Sequence, residues 1–240
     1  MLFNPVSLVQ VAGIPQNFAT DSWQTIASVA KSGTASTYYN IGDTKTVNLS
    51  GIGTMDFEIA DFNHDYLSGS TSAQTAGITL ITKNLLYTTY RMNTSNTNVG
   101  GFPASNLYQI LSTTIFNALP AELQNVVKTI YKWYGTGNGT SNGQWFGSKI
   151  WIPLEYELFG SSSYAPTTEQ SPGNARKYPI FTDNDSRIKV MNNGGGSAQA
   201  YWLASPYRDN ANYFAFVNAG GAVYNNGATG LCGVAFGLCI

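Results

Sequence analysis

The sequence is short of charge. Lys and Arg together number 12 and Asp and Glu 13 in 240 residues, leaving a net charge near −1. So neutral a chain has no basic field to concentrate nucleic acid or an anionic membrane surface, which argues against both as partners. No apolar run approaches a membrane span, so no membrane insertion is expected. The opening stretch MLFNPVSLVQVAGIPQNFAT also lacks the basic start and continuous apolar run of a signal peptide. Folding in a cytoplasm is the expectation, with exit from the cell open to a chain built into a particle. Two cysteines, Cys232 and Cys239, are too few for a disulfide framework, and free thiols are expected, although their spacing permits a bridge. The single histidine, His64, lies between Asp61 and Asp65 with no nucleophile motif beside it. A ring held by local hydrogen bonds at a strand end is expected there, rather than a catalytic base or metal ligand.

One absence is local. Lys, Glu, Gln, Met and Trp supply 31 of the first 202 residues, yet none occurs from Leu203 to Ile240. Simple proportion predicts about six. A solvated tail would hold Lys and Glu, and a packed core would hold Met or Trp, so neither explains the gap.

The polarity that is present comes from Asn, Ser, Thr, Gly and Tyr, which suits recognition by hydrogen bonding and stacking rather than by charge steering. With 43% hydrophobic residues the chain can bury a core. DSWQTIASVAKSG predicts a short helix capped by Asp21 or Ser22, with Trp23, Ile26, Ala27 and Ala30 on one face and Gly33 as the stop. KTVNLSGIGTMDFEIADFNHD predicts a hairpin through alternating Val47, Leu49, Met55, Phe57 and Ile59, and GITLITKNLL a further strand. Ser105 caps a helix carrying Leu107, Ile110, Leu111 and Ile115. Pro120 breaks it, and Leu123, Val126, Val127 and Ile130 repeat at helical spacing in a second. Beyond Gly135 lie long Gly, Asn, Ser and Thr connections with short apolar islands, where binding tends to reside. The order predicts an α+β fold, with residues 1–37 as a leading segment for assembly or attachment and residues 38–240 as the binding domain.

Several local patterns invite chemistry and are expected to be structural. Asp183 and Asp185 in TDNDSR lack the glycine and distant glutamate of a calcium loop, so a turn is expected. Glu155 and Glu157 would share one face of a strand, the spacing of a hydrolase acid and base, but a solvated edge is expected. No cofactor or metal is expected. The tail alternates instead: Phe216, Asn218, Gly220, Ala222, Tyr224 and Asn226 on one side, Val217, Ala219, Gly221, Val223 and Asn225 on the other, turning near Gly220 and Gly221. Its candidate contact residues are Tyr207, Arg208, Asp209, Asn210, Asn212, Tyr213, Phe216, Asn218, Tyr224, Asn225, Asn226 and Cys232. Aromatic rings there offer contact area at low entropic cost, and amides offer donors and acceptors.

The frame of that tail, YWLASPY at Tyr201–Tyr207, then NYF and the closing GVAFGLCI, resembles the terminal signature of C-type-lectin-fold proteins diversified by phage and bacterial retroelements. These are relatives of the formylglycine-generating-enzyme fold. GDTKTVNL, FNHD, ITLITKN, MNTSNTNVGGFPAS, IFNALPAEL, KIWIPLEYELFG and YPIFTDNDSRIK extend the likeness over about residues 38–240. The resemblance implies a C-type lectin fold with small antiparallel sheets, two helices and long loops, and a variable region at about 203–240. It further implies a reverse transcriptase that recopies the coding tail with errors at adenines. Randomised Asn codons that keep their final pyrimidine cannot encode Lys, Glu, Gln, Met or Trp, which is the set missing from the tail. The implied function is non-enzymatic: a hypervariable, receptor-binding protein for a protein or glycan ligand on a cell surface. With no signal peptide, a phage virion is the expected location, the N-terminal segment meeting other virion proteins, and a bacterial cell surface is the alternative. Two departures bear on this. Ala204 stands where relatives commonly carry Arg, and of the redox cysteine pair of the oxidase relatives, Cys239 belongs to the frame whereas Cys232 falls on a diversified position. A formylglycine-generating-type oxidase using that pair and a fixed-specificity lectin are the alternatives.

Overall fold

The computed structural model describes residues 13–68, 74–170 and 176–240. Of the leading segment expected at residues 1–37, residues 1–12 lie outside the described residues. The first helix, α1 (Trp23–Lys31), begins where the Ser22 side chain accepts a hydrogen bond from the Thr25 N–H at 3.1 Å. Lys31 in its last turn faces the negative end of the helix dipole. Trp23, Ile26, Val29 and Ala30 are buried in the same cluster as the strands that follow. Contact is close enough that a Cβ at Gly77 would lie 2.1 Å from the Ala30 carbonyl oxygen. The described part of the leading segment is therefore packed into the domain, with no break in the core after residue 37.

β1 (Thr44–Leu49) and β2 (Gly53–Phe62) form the expected hairpin, with Val47 opposite Met55 and Lys45 opposite Phe57. β3 (Ile78–Thr82) is buried along its whole length, as a central strand covered on both faces must be. Its second neighbour is β9 (Gly237–Cys239), so the sheet order is β1-β2-β3-β9 and the end of the chain completes a sheet begun near residue 44.

The helical tract opens with α2 (Asn106–Ile110), whose Ser105 hydroxyl accepts from the Tyr108 N–H at 3.0 Å. It passes through a π-helical turn at Leu111–Ile115 and ends in α3 (Phe116–Ala118), ahead of Pro120. The helix expected after Pro120 is cut short. Only α4 (Ala121–Gln124) forms, and Ile130–Gly135 is strand β4, paired with β5 (Gly143–Ser148). Leu123, Val126 and Val127 are buried as a helical face would be, but Ile130, Lys132 and Tyr134 then alternate inward with period two, and β-branched and aromatic side chains favour the pleat.

Glu155 and Glu157 open α5 (Glu155–Phe159) instead of lying on a strand. Glu157 Oε2 accepts from the Leu154 N–H at 2.8 Å, and Gly160 at φ 71° ends the turn. Both carboxylates are buried, which corrects the expected solvated edge. The last sheet is β6 (Tyr201–Pro206), β7 (Tyr213–Val217) and β8 (Val223–Gly227), in that order, with β8 at its edge. The whole is α+β: small antiparallel sheets with a few short helices.

Candidate functional site

The β6–β8 sheet carries the predicted contact residues. Phe216 pairs with Tyr224 across β7 and β8, their rings 6.3 Å apart, as the period-two reading requires. Exposure nevertheless does not follow one face. Phe214 and its neighbour Ala215 are both fully buried, so the middle of β7 is covered on both sides. Side chains open to solvent lie at the edges: Tyr224 is 51% exposed, Asp209 and Asn212 are exposed, and Tyr207, Arg208, Asn210, Tyr213, Phe216, Asn218, Asn225 and Asn226 are half-buried. Cys232 departs from the expectation. At 3% exposure it bridges to Tyr90 beneath the sheet, and no ligand reaches it from outside.

The main chain of this surface is gripped by side chains from elsewhere in the sequence. Asn98, itself buried, donates from Nδ2 to the carbonyls of Asn210 at 2.7 Å and Tyr213 at 2.8 Å, while its Oδ1 accepts from the Asn138 N–H at 2.8 Å. At the opposite end Arg187 Nε donates to the Gly221 carbonyl at 3.1 Å, fixing the hairpin turn. That turn needs glycine: Gly221 has φ 79°, and a Cβ there would sit 2.1 Å from the Asn184 carbonyl oxygen. Arg91 holds the Thr229 carbonyl at 2.8 Å. Tail side chains bond mostly to their own loops, as Asn218 Oδ1 does in accepting from the Gly220 and Ala222 N–H groups.

Beneath Tyr207 and Arg208 lies a second layer of polar supports. Glu155 accepts from the Tyr164 and Ala165 N–H groups, and the Tyr164 ring packs edge-on to Tyr207 at 5.4 Å. Ser205 accepts from the Glu155 N–H and donates to Glu169 Oε2 at 2.5 Å, while Glu169 Oε1 accepts from the Gly135 N–H. Burial pushes the Glu169 carboxyl up to about 8, against the lowering pull of those two hydrogen bonds.

A separate cluster lies deep in the core. The Lys132 ammonium bonds both the Asp65 and the Glu157 carboxylates, and also contacts Tyr178 Oη at 2.7 Å. Asp65 Oδ2 accepts from Thr79 Oγ1 at 2.6 Å, and the Trp151 ring covers the ammonium at 4.2 Å. His64, Asp65 and Glu157 bring three potential metal ligands together, and His64 Nε2 is buried with no hydrogen-bond partner among the described residues. The position between the two carboxylates, however, is taken by the Lys132 ammonium, a cation supplied by the chain itself. His64 Nδ1 meets Asp61 at 2.6 Å, the local bond expected from sequence. Asp183 accepts from the Ser186 N–H in a turn, also as expected.

Sequence reasoning missed Asn98, Arg187 and the Lys132 cluster. Lys132 alone left a trace, as a cation at an inward position of an alternating apolar run. Both cysteines are free and buried, and burial raises each thiol, that of Cys232 to about 11, so neither is held as a thiolate. No helix among the described residues is long and apolar enough to cross a membrane.

The model of the family described as a domain of unknown function, DUF6273, matches residues 76–240, and the chain belongs to that family. That span includes the tail, the Lys132 cluster apart from His64 and Asp65, and every strand except β1 and β2. Neither the curated proteins nor the solved structures contain a match to the chain.

Proposed function

We propose that this protein is a hypervariable ligand-binding protein of the retroelement-diversified kind, a C-type lectin scaffold that presents its terminal sheet and loops to a protein or glycan on a cell surface. The supporting observation is the division of labour in the tail. Its backbone is anchored by Asn98, Arg187 and Arg91 from outside, while Tyr207, Asp209, Asn212, Tyr213, Phe216 and Tyr224 offer aromatic, amide and carboxylate surface to solvent. Side chains that do little to hold the fold can be exchanged without unfolding it. Binding without catalysis follows from the same division, because chemistry needs fixed residues and a diversified surface supplies none.

On this reading the protein rides on a phage virion, where several copies raise avidity through effective concentration even if each contact is weak. Comparing the coding tail across sibling genomes tests it. Substitutions are expected at the outward positions and at adenine-bearing codons, with a near-copy of the tail beside a reverse transcriptase gene. A tail that is invariant among siblings, or that varies equally at Phe214 and Val217, defeats the proposal.

A further inference from the structure

Lys132, Asp65 and Glu157 make an unusual trio: an amine and two carboxylates, all sealed from water at 1–3% exposure and walled by Trp151 and Tyr178. A buried ion pair of this kind carries a desolvation penalty that Coulomb attraction offsets only with excellent geometry. Condensing the pair to an amide removes both charges at once. In water that condensation is opposed because amine and acid are each stabilised as ions; here the attraction between Lys132 and Asp65 also holds the pair charged, and the gain comes from shedding both of those charges in a site closed to water. Fixed positions also replace a bimolecular encounter, with effective molarities of about 10⁵–10⁸ M for well-aligned groups.

We propose that Lys132 Nζ and Asp65 Cγ join in an autocatalytic intramolecular amide bond, with Glu157 moving the protons. The inference is independent of what the tail binds. Glu157 accepts one proton from the Lys132 ammonium and passes it to Asp65 Oδ1, which shares that ammonium with it, and the freed nitrogen lone pair attacks Cγ of the now neutral acid. Asp65 Oδ2 carries the developing charge, stabilised by the Thr79 hydroxyl at 2.6 Å and the Tyr178 hydroxyl at 3.3 Å. The Cγ–Oδ1 bond then breaks. That oxygen leaves as water with two protons, both drawn from the ammonium and relayed by Glu157, which ends as the carboxylate it was. The amide keeps the third hydrogen of Nζ, so atoms and charge balance with no added reactant. Burial raises the Glu157 carboxyl above its usual range even against Lys132, which suits a group that must hold a proton in passing. The product ties β4 to the segment after β2 across 67 positions of sequence.

Intact mass spectrometry of the purified, denatured full-length chain tests this directly. The expected mass is one water below the sequence value, after allowing for initiator Met removal, with a tryptic map showing Lys132 uncleaved and linked to the Asp65 peptide. E157Q is expected to slow formation at least about 100-fold, the lower range for a lost proton relay. D65N, which keeps the shape of the site, is expected to lose ammonia in place of water. A folded wild-type chain at its full sequence mass overturns the proposal, as does a water loss that maps to any other pair of residues. Unchanged formation in E157Q removes Glu157 from the mechanism.

Discussion

Asn98 shows how much one side chain can decide. Asp is its isostere, retaining the acceptor that meets the Asn138 N–H while placing an oxygen against the Asn210 and Tyr213 carbonyls. N98D is therefore expected to loosen residues 207–213 by about 1–3 kcal/mol, the cost of buried groups left unpaired. Hydrogen exchange should quicken at the Tyr207 and Asn210 amides and stay unchanged in β1–β3. Acidification should partly reverse the effect, because a protonated Asp regains one donor; a uniform loss of protection at every pH would instead mark Asn98 as ordinary packing. Glu169 makes a second residue-scale prediction. The folded chain keeps its proton to about pH 8, while the unfolded chain releases it near 4.5. Between those values the folded state binds more protons, so stability falls as pH rises through that window and levels off above it. Glu155 and Glu157 are also raised and act in the same sense, so E169Q is expected to flatten the fall without abolishing it. Denaturant midpoints measured from pH 5 to 8.5 check this, and an unchanged slope in E169Q contradicts it.

Among the elements, β7 carries the contrast that matters. Phe214→Ala removes a fully buried ring and should cost about 3–5 kcal/mol, whereas Tyr224→Ala on the edge strand should stay within about 0.5 kcal/mol. Chemical denaturation of the two variants measures the difference, and equal losses would mean that β8 is part of the core. Elements with local signals were legible: α1 through its Ser22 cap, and β1, β2 and β3 through alternation or a bounded apolar run. β4 was not, because Leu123, Val126, Val127 and Ile130 satisfy helical spacing, and only tertiary pairing with β5 shows where that spacing stops. α5 was misread for the converse reason. Two glutamates at period two suggest a strand, but Glu157 reaching back to the Leu154 N–H fixes a helix start.

At the scale of the whole molecule, one continuous core runs from Phe18 to Ile240, and the chain's last strand pairs with β3. The terminal region is thus tied down at both ends, by β6 and by β9, and its solvent-facing side chains lie between them. The residue types missing from Leu203–Ile240 single out the tail in one dimension, and that much is legible without a fold. The anchors left no such trace, and of the Lys132 cluster only Lys132 itself left one, since Asp65, Lys132, Glu157 and Tyr178 meet only once the sheets are folded. A library randomised at Tyr207, Asp209, Asn212, Tyr213, Phe216 and Tyr224, sorted for protease resistance beside one randomised at Phe214, Ala215 and Val217, is the most direct test of this arrangement. Most outward variants should stay folded and most inward ones should not. Equal loss of resistance in both libraries would contradict it.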